Sequence, residues 1–373
     1  MTPYIVTFTL SLSSFCIGSL FDKQKMKNAG KIFWIIGIIL PCLLAAMRDD
    51  SVGIDTLVYQ KPFFLIARNY RDSLWGYIDY IKQYEYLYYF VTWICACITD
   101  NAALLYFVNQ LLTILPIYFA LKLTKRTDKE IVIGMYIYFM YIYCLSFNFA
   151  RQDIAIAFSI LAIAFLENDK IKSAIITTIV AIFFHNSAYI MIFVIGMYFV
   201  FKYIKNSKIK VMVSVAILIV ALISFNLFEN ILQNVNATTN NEAIQKYSSY
   251  INNSNYSRVV GFDLIMFSFL FVLCIFTILY RKSLITKISN YDFWITISLM
   301  SPIGVLFRAK VENSYRMFLY IWYIYAILFV PKMCNKFNKK ENNNIMTIII
   351  ILMFLCYWLR YGGWANVIPY IFA

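Results

Sequence analysis

Three arginines, Arg48, Arg151 and Arg316, stand at the very ends of long apolar stretches, where an uncompensated charge is expensive to hold. A guanidinium there stays charged and presents a planar fork of donors that matches phosphate oxygens two at a time. Each lies in a short polar motif: Met47-Arg48-Asp49-Asp50-Ser51-Val52-Gly53-Ile54-Asp55-Thr56 followed by Tyr59, then Asn148-Phe149-Ala150-Arg151-Gln152, and Ser314-Tyr315-Arg316. A fourth motif, Phe184-His185-Asn186-Ser187, carries the one histidine of the chain. Imidazole is the side chain best suited to moving a proton near neutral pH, so His185 is a candidate base or substrate ligand. The alternative is a local hydrogen bond at a helix turn. Asp55 is a second candidate base, or else the partner that holds Arg48. Gln152 and Asn186 supply neutral donors suited to hydroxyl groups.

The elements that must position these residues are apolar. Of 373 residues, 62% are hydrophobic and only 14% charged, more apolar surface than a soluble core can hide. The apolar residues fall into blocks at 2–21, 31–47, 102–121, 131–147, 150–166, 173–184, 187–203, 209–228, 262–280, 291–307, 317–334 and 345–359. Most have about the length a helix needs to cross ~30 Å of hydrocarbon. Helices are forced, because lipid satisfies no exposed backbone group. The expected fold is an all-α integral membrane protein of about twelve transmembrane helices, a single polytopic domain over residues 1–373. Met1–Phe21 has no basic residue before it and no small-residue cleavage site, so it reads as the first span.

Every second loop is basic. Segments 22–31, 122–130, 167–172, 202–210, 281–290 and 332–344 hold 21 of the 33 Lys and Arg residues, which places them in the cytoplasm and both ends of the chain outside. The net charge of +14 then sits on the cytoplasmic face and needs no nucleic-acid partner to explain it. Lysine and arginine segregate across this topology. Nineteen of 23 lysines are inside, whereas eight of ten arginines (Arg48, Arg68, Arg71, Arg151, Arg258, Arg308, Arg316 and Arg360) map to the outer face. Orientation requires only charge, so an outer arginine set points to an anionic ligand such as a lipid phosphate or pyrophosphate. Snorkelling to headgroups or pairing with nearby acids is the alternative, strongest for Arg68, Arg71 and Arg308.

One further block, 84–99, would invert the alternation if it crossed the membrane. Its five aromatic residues, Tyr84, Tyr86, Tyr88, Tyr89 and Phe90, surround Glu85, and it reads as a re-entrant or interfacial helix on the outer leaflet. Two outer loops remain, 48–83 and 229–261. The second is rich in Asn, Ser and Tyr with almost no net charge, which suits a carbohydrate surface, a lid over substrate, or a plain connector. Eight cysteines are scattered without metal-ligand spacing, and Asp49-Asp50 is flanked by arginine, a poor metal cup. No cofactor or metal is expected.

In these residues the chain resembles the Wzy-type polysaccharide polymerases, and among them the EpsG-like family of exopolysaccharide and O-antigen polymerases. The resemblance rests on Arg48…Gly53-x-Asp55-Thr56…Tyr59, Glu85 in its aromatic segment, Asn148-x-x-Arg151-Gln152 with Ala155, His185-x-Ser187-Ala188, Tyr315-Arg316, and Asn366-Val367-x-Pro369-Tyr370. It implies a metal-independent glycosyltransferase of the GT-C type in the bacterial cytoplasmic membrane, with its active site facing outward. Such an enzyme transfers a growing glycan from one undecaprenyl pyrophosphate to a second lipid-linked repeat unit. Direct displacement would invert the anomeric centre. On this basis Arg151 and Arg316 hold the donor pyrophosphate, with Arg48 beside them or on the acceptor's pyrophosphate. His185 or Asp55 takes the hydroxyl proton, and Gln152, Tyr59, Tyr315 and Glu85 contact substrate. Membrane lipid, a chain-length regulator and a flippase are the candidate partners. A flippase for the same lipid-linked units, or an O-antigen ligase, would share the outer arginines. A flippase should also carry cations deep along a path between leaflets, and span interiors here hold almost none.

Overall fold

A computed structural model describes residues 1–82, 85–125, 127–238, 260–286, 288–310, 316–335, 343–363 and 366–373. Among these residues the chain is helical apart from turns, and its one extended pairing is a bridge between Arg48 and Phe372. All twelve apolar blocks fall on helical elements. Among the described residues five helices, Thr2–Lys23, Lys27–Ala46, Ala103–Thr124, Asn186–Tyr203 and Arg316–Cys334, are long and apolar enough to cross a membrane. The chain packs as two compact units, Met1–Tyr189 with Ala326–Ala373, and Ile190–Tyr325.

In the first unit α1 (Thr2–Lys23) lies along α2 (Lys27–Ala46). The contact is close because Gly37 leaves room for the Phe15 ring: a Cβ on Gly37 would come within 2.3 Å of it. The segment that follows is the one expected as an outer loop, 48–83. It contains a π-turn at Thr56–Gln60, α3 (Lys61–Asn69) and α4 (Leu74–Ile81). These helices are short and two-faced, burying Phe64, Ala67, Tyr77 and Ile78 while exposing Leu57, Val58, Leu65 and Trp75. Apolar residues spread over such short amphipathic turns never add up to a span-length block. α5 (Tyr86–Ile98) covers the aromatic block in 13 residues, about 20 Å of helix, less than a bilayer core.

α6 (Ala103–Thr124) and α9 (Ile171–Phe184) flank α8 (Ala150–Glu167), and α7 (Asp128–Tyr138) runs on through a π-turn at Phe139–Tyr143 and a 3₁₀ turn at Leu145–Phe147. α8 is the central element. Its Ala155, Ala157, Ala162 and Ala164 are wholly buried, and such small side chains let helix backbones approach where lipid supplies no hydrophobic drive. A second core lies around Phe8, which stacks on Phe139 at 4.8 Å and meets Tyr143 edge-on at 5.0 Å.

The end of α8 away from the arginine motif carries Glu167, paired in the interior with Lys332 at 2.5 Å. Lys332→Met should leave that carboxylate buried without its cation and destabilise the protein by about 3–5 kcal/mol. A thermal melt of the detergent-solubilised protein checks this, and an unchanged midpoint would contradict it.

The second unit contains α10 (Ile190–Tyr203), α11 (Ser207–Thr238), α12 (Val260–Leu279), α13 (Arg281–Leu284), α14 (Tyr291–Lys310) and α15 (Arg316–Ile324). Trp322 donates to the Ser301 carbonyl at 2.9 Å, and Asp292 gathers Lys210 at 3.3 Å and Arg281 at 3.2 Å. Beyond Tyr325 the helix passes through a π-turn, Tyr325–Phe329, into α16 (Val330–Asn335) of the first unit, and α17 (Asn343–Tyr361) completes the helices. The expected loop 229–261 begins inside α11, and its residues 239–259 lie outside the described residues.

Candidate active site

The first turn of α8, the start of α5, the 48–60 segment and the turn after α9 build the site. Arg151 enters near the N-terminus of α8, just past the 3₁₀ turn that redirects the chain out of α7. Its guanidinium forms an ion pair with Glu85, the residue that opens α5, and donates to the Tyr89 hydroxyl one turn further on at 3.0 Å. Tyr59 and Tyr88 present their rings to the same guanidinium, at 5.0 and 5.8 Å. Asp55 also acts on it electrostatically. The other Glu85 oxygen faces His185 Nε2 at 3.5 Å. Glu85 therefore joins a guanidinium from α8 to an imidazole from the turn after α9. The side chains of Arg151 and His185 remain 17% and 22% exposed, so the pair is covered yet reachable from outside.

The His185 turn fixes its tautomer. The backbone N–H of Ser187 donates to His185 Nδ1 at 3.2 Å, and the Ser187 hydroxyl lies 2.6 Å from the same nitrogen. With Nδ1 accepting, the proton of a neutral ring sits on Nε2 and points to Glu85. Of the two sequence alternatives for His185, the helix-turn hydrogen bond is made at Nδ1, and Nε2 faces Glu85.

Arg48 occupies a second layer and is only 3% exposed. It follows the end of α2, where it donates to the Ala45 carbonyl at 2.6 Å, and it reaches Thr56 and Gln60 at 3.4 Å each. Tyr106 and Phe147 face its guanidinium at 4.3 and 4.2 Å. Among the described residues it has no carboxylate partner, so Asp55 does not hold it. The negative end of α2 and the two ring faces compensate its charge instead. Burial nevertheless pulls its pKa below the ordinary arginine value. Beside it a cavity of about 10 Å³, room for one water, is lined by Gln60, Tyr106, Asn109, Gln110 and Ser146. Arg48 Nε and Asn109 Oδ1, both without a partner among the described residues, supply the donor and acceptor such a water needs.

Asn109 connects the two layers. It donates to Gln60, which Arg48 also contacts, and it lies beside the Tyr88 hydroxyl, which feels the Arg151 charge. Arg48, Asp55, Tyr59, Glu85, Arg151 and His185 are thus brought into one assembly in the first unit. Gln152 is 2% exposed and faces the interior, while Asn186 is exposed. Arg316 lies at the start of α15 in the second unit, half-buried, and Tyr315 lies outside the described residues. Gln60, Tyr106, Asn109 and Gln110 were not singled out in the sequence. Their signal is Asn109-Gln110, two adjacent amides inside an otherwise apolar block.

The segments that carry the site are anchored. Arg71 donates to the Ala96 and Thr99 carbonyls and to Asp100, closing the end of α5 onto the end of α3. That hydrogen bond, with the charge of Arg68, holds the Asp100 carboxyl below the usual carboxylate range. Gly53 has φ +92°, and a Cβ there would lie 2.8 Å from Phe147 Cβ and 2.9 Å from its carbonyl oxygen. Gly53→Ala combines a left-handed backbone with a clash against the backbone, so a loss of about 2–4 kcal/mol in stability is expected. A chemical or thermal unfolding curve reads this directly.

The model of the EpsG family matches residues 31–372. The chain belongs to the EpsG family. The match covers every site residue just described, as well as Tyr315 and Arg316. No curated protein and no solved structure matches the chain significantly. EpsG family membership makes the chain a membrane protein of the exopolysaccharide polymerase class, glycosyltransferase-like in activity.

Proposed function

We propose that this EpsG-family chain polymerises lipid-linked oligosaccharide repeats at the outer face of the bacterial cytoplasmic membrane. It transfers the growing glycan from one undecaprenyl pyrophosphate to a sugar hydroxyl of the next repeat. The observation that carries this reading is the meeting of Arg151, Glu85 and His185 from three separate segments. They form a largely covered, ion-paired site walled by tyrosines, in which the guanidinium fork suits a diphosphate and the tyrosine rings suit a sugar. The reading of the sequence as twelve spans with the basic loops in the cytoplasm supports an exterior position for this site.

A lipid pyrophosphate is already a good leaving group, so the residues need chiefly to neutralise developing charge and to orient the attacking hydroxyl. Arg151 binds the donor pyrophosphate, with Glu85 as its resting counter-ion and Tyr59 and Tyr88 stacked on its faces. Arg316 is proposed from the sequence alone as a further phosphate ligand. Arg48, buried and committed to α2, is proposed to hold the 48–60 segment in place rather than to touch the pyrophosphate. With Nε2 of His185 protonated toward Glu85, the proton acceptor is Asp55, half-buried and electrostatically coupled to Arg151. Attack on the anomeric carbon breaks its bond to the pyrophosphate oxygen, forms the new glycosidic bond with inversion, and leaves the proton on Asp55.

Cells carrying alanine at both Arg151 and Arg316 should make no long polymer, as judged by gel profiles of surface polysaccharide. Unchanged polymer length and amount from the double variant would remove both residues from this role.

A further inference from the structure

The motif Asn366-Val367-x-Pro369-Tyr370 is absorbed by no step of the proposed chemistry, yet it lies against the segment that delivers Asp55 and Tyr59. We infer that residues 366–373 are a positioning clamp for that segment, with Asn366 and Tyr370 as its key residues. The inference rests on the reading of Arg151, Asp55 and Tyr59 as parts of the working site.

Backbone groups make most of the clamp. The Asp49 N–H donates to the Ile371 carbonyl at 2.9 Å, the Gly53 N–H to the Asn366 carbonyl at 3.0 Å, and the Ala373 N–H to the Met47 carbonyl at 3.0 Å. Tyr370 donates its hydroxyl to the Leu44 carbonyl at 2.5 Å, and Tyr4 of α1 donates to the Val367 carbonyl at 2.8 Å. Leu44 and Met47 are among the last carbonyls of α2, which no helical N–H can reach, so the clamp also completes that helix end. On the opposite side the Ile54 N–H donates to the Asn148 side chain at 2.6 Å, just ahead of α8. Residues 47–54 are therefore held from two directions, by 366–373 and by the entrance to α8, and the π-turn that follows places Tyr59 on the Arg151 guanidinium. Because these contacts lie far apart in sequence, loss of the clamp frees a segment that local structure alone does not define.

Asn366 offers a selective test because its φ of +60° suits Asn or Gly and strains alanine. Its contact to Gly53 is through the backbone, so removing the side chain does not itself delete a bond. Asn366→Ala, Asn366→Gly and Tyr370→Phe are compared with wild type in detergent or proteoliposomes. Turnover is measured on a defined lipid-linked repeat, and amide hydrogen exchange is followed over residues 47–60. Asn366→Ala and Tyr370→Phe should lower kcat at least about five-fold with KM within about two-fold, Asn366→Gly should restore it, and exchange over 47–60 should rise at least about ten-fold in the two impaired variants only. Wild-type exchange and turnover in both would overturn the clamp. So would equal loss in Asn366→Ala and Asn366→Gly. A wild-type protein that turns over no repeat would refute the polymerase reading instead, and the exchange measurement would still decide the clamp.

Discussion

Replacing Arg151 by alanine is expected to reduce polymer formation by about 10²–10³-fold, the loss typical when one preorganised donor to developing charge is removed. The defect should fall mainly on kcat, because the leaving pyrophosphate carries most charge as its bond to the sugar breaks. Arg151→Lys should recover little. An ammonium keeps the charge, but it lacks the planar fork that grips two oxygens and the flat faces that lie against Tyr59 and Tyr88. Initial rates with a defined lipid-linked repeat measure this, and a lysine variant within about three-fold of wild type would show that point charge is all that the position supplies.

Glu85→Gln is expected to have the second large effect, for a different reason. The carboxylate is shared by Arg151 and His185, so the amide removes the charge paired with a largely covered guanidinium and leaves one acceptor oxygen where Arg151 and His185 had two. A loss of about 3–5 kcal/mol in stability is the cost of breaking such a pair from one side. Turnover should fall together with stability. Because the two residues act as one unit, Arg151→Ala with Glu85→Gln should be far less damaging than the sum of the singles. A double variant whose defects simply add would place the two residues in separate roles.

The all-helical architecture was legible from apolar block length alone, since each block falls on helical elements. The sequence assigned Arg48, Asp55, Tyr59, Arg151, His185 and Arg316 to one face, since each lies at a block edge or in an adjoining polar motif; the first five fall in the first unit, and Arg316 opens α15 of the second. The role of Glu85 was not. In the sequence it is one acid in an aromatic run, and only the start of α5 set against the start of α8 turns it into the bridge between Arg151 and His185. The depth of Arg48 was hidden for a related reason. Its environment comes from Tyr106, Phe147 and residues 366–373, and no local pattern states that those segments converge. The short helices of 48–83 escaped because each buries only a few side chains, below what periodicity over a long window detects.

The most direct test is to supply purified protein in proteoliposomes with a single defined repeat on undecaprenyl pyrophosphate and to resolve the lipid-linked products by size. A ladder extending over many repeats, absent with Arg151→Ala, is the predicted result. Wild-type protein that leaves every repeat unextended, whether or not it carries them across the bilayer, would contradict it.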